Sequence, residues 1–165
     1  MEALAVLAVQ CTLSVLVFYL ATKWYVIPRI NKETIFDVLA FLLLINVFRY
    51  LPLSLFMPGQ VSEAFPLYLK KIVAYGDFLS GMIALTAWIL LHSNKKGALA
   101  LTWIFSVISI VDIIGVLILA IIEKVYSLPL GTNYFTISVY VPMLIVVQVV
   151  ILKILTRKKF KLIRR

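Results

Sequence analysis

Long runs of apolar residues alternate with short polar segments along this chain. Five runs reach the length of about 20 mostly apolar residues that an α-helix needs to cross a bilayer. They cover residues 3–22, 35–57, 72–92, 98–122 and 136–155. The pattern predicts one all-α domain over residues 1–165, a polytopic integral membrane protein built as a bundle of five transmembrane helices.

Composition supports this prediction and narrows the chemistry. Hydrophobic residues make up 64% of the chain and charged residues 14%, against about 45–50% and about 25% in soluble domains. The first run is preceded by Glu2 in place of a positive n-region, and it is longer than the apolar region of about 7–15 residues in a signal peptide, so we expect a membrane helix. With Cys11 and His92 as the single cysteine and histidine, we predict no metal site, and the sequence identifies no cofactor.

The basic residues predict the orientation in the membrane. Three basic residues fall on one side, Lys70, Lys71 and Lys124, and eleven fall on the other: Lys23, Arg29, Lys32, Lys95, Lys96, Arg157, Lys158, Lys159, Lys161, Arg164 and Arg165. Because positive loops stay in the cytoplasm, the N-terminus is expected outside and the C-terminus inside a plasma or bacterial inner membrane. The net charge of +9 is then explained by the membrane topology, and no nucleic acid is expected as a partner. The basic tail at 156–165 is expected to contact anionic lipid headgroups.

Three charged residues lie inside the predicted helices at a common depth. At about 1.5 Å per residue, Arg49, Asp77 and Asp112 all fall roughly 20 Å from the cytoplasmic edge, in the outer half of the membrane. Each would cost about 2.5–3.5 kcal/mol if it faced lipid alone at the centre of a helix. We therefore expect Arg49 to be held between the two aspartates.

Further polar residues are expected to face the same interior. By helical periodicity, Asn46 and Ser109 lie about one turn below the charges, and Tyr140 and Gln148 lie on one side of the last helix. The predicted ligand- or proton-binding site therefore comprises Arg49, Asp77, Asp112, Asn46, Ser109, Tyr140 and Gln148.

A stripe of small residues follows the third helix. Gly76, Ser80 and Ala84 are spaced four residues apart, and small residues let membrane helices pack closely. The stripe predicts a packing edge, either within one chain or between copies. Since five helices enclose little space, a homo-oligomer is expected.

Local signals mark the helix ends and bends. Pro52 and Pro142 interrupt the second and fifth helices close to the predicted charge cluster, which favours either a cavity open to the outside or a simple packing kink. The segment 57–71 is expected to be a lid over that cavity or an amphipathic connector. Thr34 and Asp37 resemble the start of a capped helix.

These features are compatible with three classes of function. One guanidinium cannot neutralise two carboxylates, so the site either carries a net negative charge or holds a proton. This favours a small transporter or channel-like protein that binds a small cation, an amine or a proton-coupled solute. The alternatives are an assembly, chaperone or lipid-interacting subunit with structural charges, and a membrane-embedded enzyme or receptor. An enzyme is least favoured, because no catalytic triad or metal-ligand cluster is found.

Overall fold

A computed structural model describes residues 2–30 and 35–156 of the chain. Its described part is all-helical, with 84% of residues in helices and no strands. It contains five helices long and apolar enough to cross a membrane: α1 (Ala3–Arg29), α2 (Ile35–Phe56), α3 (Leu67–His92), α4 (Ala98–Ile122) and α5 (Asn133–Thr156). The predicted Thr34 cap and tail residues 157–165 lie outside the described residues.

Three of these helices are longer than the apolar runs that predicted them. α1 continues to Arg29 through a π-helical segment, Thr22–Val26, and a 3-10 turn, Ile27–Arg29. α3 begins at Leu67, five residues before the apolar run. That run excluded two lysines, but they belong to the helix because their long side chains can extend toward the water beyond the apolar zone. α5 begins at Asn133, three residues early.

The second helix changes type where Pro52 was predicted to bend it. α2 is α-helical from Ile35 to Val47 and then forms a 3-10 helix, Phe48–Phe56, with Pro52 inside it. In an α-helix the Pro52 ring would clash with the carbonyl of Phe48, and a 3-10 helix avoids this arrangement. The distortion therefore starts before Arg49 and not above it.

The fifth helix loosens just before its own proline. Thr136–Tyr140 is π-helical and precedes Pro142, which cannot donate to the carbonyl of Ser138. The hydroxyl of Ser14 on α1 donates to that carbonyl over 2.8 Å. The carbonyl that Pro142 cannot reach is thus satisfied by a neighbouring helix.

The helices pack around α3 and α5. α3 packs against α2 and α4, α5 packs against α1, α2 and α4, and α1 is held mainly by α5. One apolar core joins α2, α3, α4 and α5. A second apolar core, formed by Phe65, Leu69, Val125 and Leu130, lies beside segments 57–66 and 123–132. The end of the bundle that carries these two segments is called the predicted outer end.

The small-residue stripe of α3 packs within the chain. Ser80 and Ala84 have no exposed surface, and Gly76 is partly buried. Two of the three residues are thus already covered by neighbouring helices of the same chain. A homo-oligomer stays a prediction, and it would need a different contact face.

Candidate functional site

Arg49 is bonded through all three nitrogens of its guanidinium group. Its Nε donates to Asp77 Oδ1 over 2.7 Å, and its Nη1 donates to Ser109 Oγ over 2.6 Å. Its Nη2 lies 2.7 Å from the same Asp77 oxygen and also donates to Asp112 Oδ2. One residue of α2 therefore ties α3 and α4 together, and the expected pairing of the three charges is present.

The three charged side chains differ in exposure. Arg49 is 1% exposed, whereas the side chains of Asp77 and Asp112 are 15% and 13% exposed. The carboxyl groups of the two aspartates are also close enough to hydrogen-bond to each other. The guanidinium is thus buried, whereas the two carboxyl groups bonded to it keep some solvent-accessible surface.

Two glycines of α3 make this arrangement possible. A Cβ atom at Gly76 would collide with Oδ1 of Asp112, and a Cβ atom at Gly81 would stand 3.0 Å from the Val47 carbonyl oxygen and 3.5 Å from Arg49 Cβ. These positions bring α4 and α2 close to α3 at the charged residues. The sequence pattern predicts Gly76 in a packing edge, and helical periodicity also predicts Gly81 on the packing face of Asp77.

The polar residues predicted beneath the charges form other contacts. Asn46 Nδ2 donates to the Leu42 carbonyl over 2.9 Å, and the Tyr140 hydroxyl donates to the Ile45 carbonyl over 3.0 Å. Gln148 Nε2 lies 3.5 Å from the Ser106 carbonyl oxygen. Asn46 thus bonds to its own helix, Tyr140 and Gln148 bond to neighbouring helices, and all three use backbone carbonyls and not the charges. Of the predicted polar companions, the structure brings only Ser109 into direct contact with Arg49.

Four buried oxygen atoms in this polar region have no hydrogen-bond partner among the described residues. Two are amide oxygens, Asn46 Oδ1 and Gln148 Oε1, and two are hydroxyls, Ser80 Oγ and Ser106 Oγ. They come from α2, α5, α3 and α4 respectively, and all four residues are at most 4% exposed. Buried polar atoms are normally satisfied, so this group has unused capacity to bind water or a polar ligand.

A cavity reaches the charged residues from the predicted outer end. Its volume is about 90 Å³, and Arg49, Asp77 and Asp112 all line it. A single water needs about 10–15 Å³ by this kind of measure, so there is room for several waters or a small organic molecule. The rest of the lining is mainly apolar, and Phe65, which belongs to segment 57–71, contributes to it.

The cavity is bordered by three of the seven predicted site residues, Arg49, Asp77 and Asp112. Asn46, Ser109, Tyr140 and Gln148 are not among the residues that line it. Their helical faces were predicted correctly as interior, but burial alone does not say which interior atoms border a cavity. A ligand in the cavity would touch Asp77 and Asp112 without reaching these four residues.

Asn133 is a cavity residue that the sequence reasoning missed. It lies in the first turn of α5, is 4% exposed, and accepts a hydrogen bond from Ser54 Oγ over 2.9 Å. Its Nδ2 has no partner among the described residues. The predicted span began at residue 136 and left Asn133 in a loop. The available signal was a polar residue closely following the turn at Gly131.

The described residues contain no group of three or more His, Cys, Asp or Glu side chains that could hold a metal ion. Comparison with curated proteins and with solved structures finds no match. A family model described as "Domain of unknown function (DUF8737)" matches residues 6–156, a range that includes nearly all of the five helices. The chain therefore belongs to the DUF8737 family.

Proposed function

We propose that this protein is a small membrane transporter or channel-like protein that binds a small cation, an amine or a proton-coupled solute at Asp77 and Asp112. The observation that carries this proposal is the asymmetry of the charged group. Both carboxyl groups border the cavity and keep free surface, whereas Arg49 is 1% exposed. If the three charges only joined helices, no cavity would be required beside the carboxyl groups of Asp77 and Asp112.

Charge balance supports a positively charged ligand. One guanidinium faces two carboxyl groups that lie within reach of each other. When both are ionised, the group carries one net negative charge, and a buried uncompensated charge is unfavourable. A bound cation, an ammonium group or a proton shared by the two aspartates removes that charge.

The buried oxygens support movement of a solute or a proton beyond the cavity. Asn46 and Ser80 lie three residues from Arg49 and Asp77 respectively, on the side away from the predicted outer end. Unpartnered oxygens on both, and on Ser106 and Gln148, provide hydrogen-bonding groups further into the bundle. Polar groups that continue past an intramembrane charge are typical of transport pathways.

In the proposed orientation the cavity faces the outside of the cell. The loops with few basic residues, 57–66 and 123–132, lie at the cavity end, and the positive-inside rule places them outside. The membrane is then the plasma membrane or the bacterial inner membrane. Any homo-oligomer would use a surface other than Ser80 and Ala84, which are fully buried.

A second candidate function is that of a non-catalytic assembly or lipid-interacting subunit. It is favoured by the way Arg49 bonds to two other helices through every guanidinium nitrogen. Under this alternative the charges hold the bundle together, and the cavity is filled by water or lipid. The two proposals differ in whether the carboxyl groups are needed for flux or only for stability.

The deciding experiment measures flux in liposomes that contain the purified protein. Uptake of protons, sodium and methylammonium is followed for the wild type, Asp77→Asn and Asp112→Asn, with Asp37→Asn as a matched control because Asp37 is exposed near the other end of α2. Flux of at least one probe that Asp37→Asn retains and the other two variants lose supports the transporter. If folded wild-type protein passes none of them, or both site variants retain the flux, the assembly function replaces it.

A further inference from the structure

We infer that the ligand of this site is an elongated amphiphilic amine, with its ammonium group at Asp77 and Asp112, an apolar body along the cavity, and a hydrogen-bond acceptor at Asn133. This inference rests on the proposed function and names the class of ligand. Three independent features of the cavity carry it: its charged end, its walls and its unpartnered amide.

The charged end selects the head group. Arg49 uses its nitrogens on Asp77, Asp112 and Ser109, and it is almost completely buried. Arg49 also lines the cavity, but all of its guanidinium nitrogens are already bonded, so the two carboxyl groups are the charged groups here with free capacity to bind a ligand. These accept hydrogen bonds from an ammonium group and stabilise its charge, whereas a carboxylate or phosphate ligand would meet like charge.

The walls select the body of the ligand. Between the charged end and the outer apolar core, the cavity is bordered by aliphatic side chains from three helices, among them Val73, Val116 and Ile137. A hydrated inorganic ion gains nothing from such walls. An alkyl or aromatic body removes its own surface and the surface of the walls from water, which raises affinity about fourfold for each buried methylene.

The far end of the cavity offers a hydrogen-bond donor. The Asn133 side chain lines the cavity with its Nδ2 unpartnered, while its Oδ1 is held by Ser54. Among the buried side-chain atoms of the described chain that lack a partner, Asn133 Nδ2 is the one nitrogen. A buried donor without a partner is costly, and a hydroxyl, ether or carbonyl oxygen of the ligand would satisfy it.

The two polar ends are separated by a distance that sets the length of the ligand. Ser54, which contacts Asn133, lies five residues after Arg49 in the 3-10 part of α2. At a rise of about 2.0 Å per residue in a 3-10 helix, the backbones of Arg49 and Ser54 are about 10 Å apart along the axis. We therefore expect the ligand to carry its acceptor at about this distance from its ammonium nitrogen.

The test uses ligand binding to the full-length protein in lipid nanodiscs, read as the shift in thermal unfolding midpoint and as a dissociation constant. The probes are methylammonium, butylamine, octylamine and the ω-hydroxy derivative of octylamine. Octanol and octanoate have the same chain without the ammonium group, so they report partition into the lipid. We expect octylamine to bind at least 100-fold more tightly than methylammonium, and the hydroxylated amine to bind more tightly still, with neither control shifting the midpoint.

Two variants locate the binding without depending on the charged residues. Asn133→Leu keeps the approximate size of the side chain and removes its donor, so it should abolish the preference for the hydroxylated amine and leave octylamine binding intact. Val116→Trp fills the apolar part of the cavity, so it should weaken octylamine binding at least tenfold more than methylammonium binding. Gly115→Ala is the matched control, because a Cβ atom at Gly115 has no neighbour within 4 Å.

The outcomes separate this inference from the proposed function. Methylammonium or sodium that binds wild-type protein as tightly as octylamine would overturn the amphiphile and leave a cation site in place. Equal binding of octylamine and octanol would overturn the recognition of the ammonium group. An unchanged preference for the hydroxylated amine in Asn133→Leu would overturn the role of Asn133. If none of the amines binds and the liposomes show no flux, both the inference and the proposed function fail.

Discussion

Gly81 of α3 lies directly against the main chain of α2 at Val47, the residue after which α2 changes from α-helical to 3-10 geometry. A Cβ atom at Gly81 would stand 3.0 Å from the Val47 carbonyl oxygen and 3.5 Å from Arg49 Cβ. The nearest atoms belong to the backbone, which cannot rotate away as a flexible side chain can. The close approach of α2 and α3 therefore depends on the missing side chain at this position.

Replacing Gly81 by alanine should destabilise the protein relative to the same replacement at Gly115. Overpacking of a tight contact typically costs about 1–3 kcal/mol, whereas alanine in an unobstructed helix gains about 0.5–1 kcal/mol over glycine. We expect Gly81→Ala to unfold at a lower denaturant concentration than wild type and Gly115→Ala at an equal or higher one. The measurement is equilibrium unfolding in detergent, followed by circular dichroism. Equal midpoints for the two variants would show that α2 accommodates the methyl group.

The sequence predicted the meeting of Arg49, Asp77 and Asp112 because depth in a membrane helix follows from residue count. The 3-10 segment of α2 does not disturb this prediction, since it begins only one residue before Arg49. Charged side chains in an apolar run also have a high free-energy cost unless they are paired, so they are expected to point toward one another.

The cavity was harder to predict for reasons that lie in local geometry. Helical periodicity assumes 100° per residue and does not reveal the π-helical segment Thr136–Tyr140, which widens α5 where Thr136 and Ile137 border the cavity. Hydrogen bonds from Tyr140 and Asn46 to backbone carbonyls depend on rotamers that the sequence does not specify. Asn133 was missed because the apolar run alone does not define the start of the helix.

Removing the guanidinium of Arg49 should destabilise the protein strongly. Arg49→Met leaves two buried carboxyl groups without their partner, and loss of one member of a buried ion pair typically costs about 3–5 kcal/mol. Ser109→Ala removes only one bond to Arg49 Nη1 and should cost less, about 1–3 kcal/mol. Both are measured by equilibrium unfolding. A smaller loss for Arg49→Met than for Ser109→Ala would mean that the carboxyl groups are neutral without Arg49.

The two aspartates should respond differently to replacement by asparagine. One oxygen of Asp77 accepts from both Nε and Nη2 of Arg49, whereas Asp112 is bonded through Nη2 alone. We expect Asp77→Asn to lose stability at every pH by about 3–5 kcal/mol. Asp112→Asn should be as stable as wild type and show a flatter dependence of stability on pH, since it keeps Asp77, the carboxylate that accepts from two nitrogens of Arg49.

Thermal unfolding of wild type and both variants between pH 5 and pH 9 tests this difference, with Asp37→Asn as the control for a carboxylate outside the site. A large loss of stability at every pH in both site variants would favour the assembly function, in which the charges are structural. A wild-type stability that does not change with pH would remove the shared proton from the proposal.

The bond between Ser14 and the carbonyl of Ser138 should stabilise the attachment of α1. Ser14 Oγ donates over 2.8 Å to the carbonyl that Pro142 leaves free, and α1 packs mainly against α5. We expect Ser14→Ala to cost about 1–3 kcal/mol, because it leaves that carbonyl unsatisfied. Thr12→Ala is the control, since Thr12 is exposed and bonds to Ala8 of its own helix.

A double-mutant cycle checks the cause of that loss. Pro142→Ala restores a backbone N–H that can donate to the Ser138 carbonyl. Ser14→Ala should therefore cost less in the Pro142→Ala background than in wild type. An equal cost in both backgrounds would show that the Ser14 hydroxyl acts through packing and not through the freed carbonyl.

The orientation of the bundle decides from which side of the membrane the proposed ligand would reach Asp77 and Asp112. Ala64 and Ser93 are exposed residues at opposite ends of the described structure, and the distribution of basic residues predicts Ala64 outside and Ser93 in the cytoplasm. In a Cys11→Ser background, Ala64→Cys should react with a membrane-impermeant maleimide in intact cells, and Ser93→Cys only after the cells are permeabilised. The opposite labelling pattern would place the cavity on the cytoplasmic side, so that Asp77 and Asp112 would take their ligand from inside the cell.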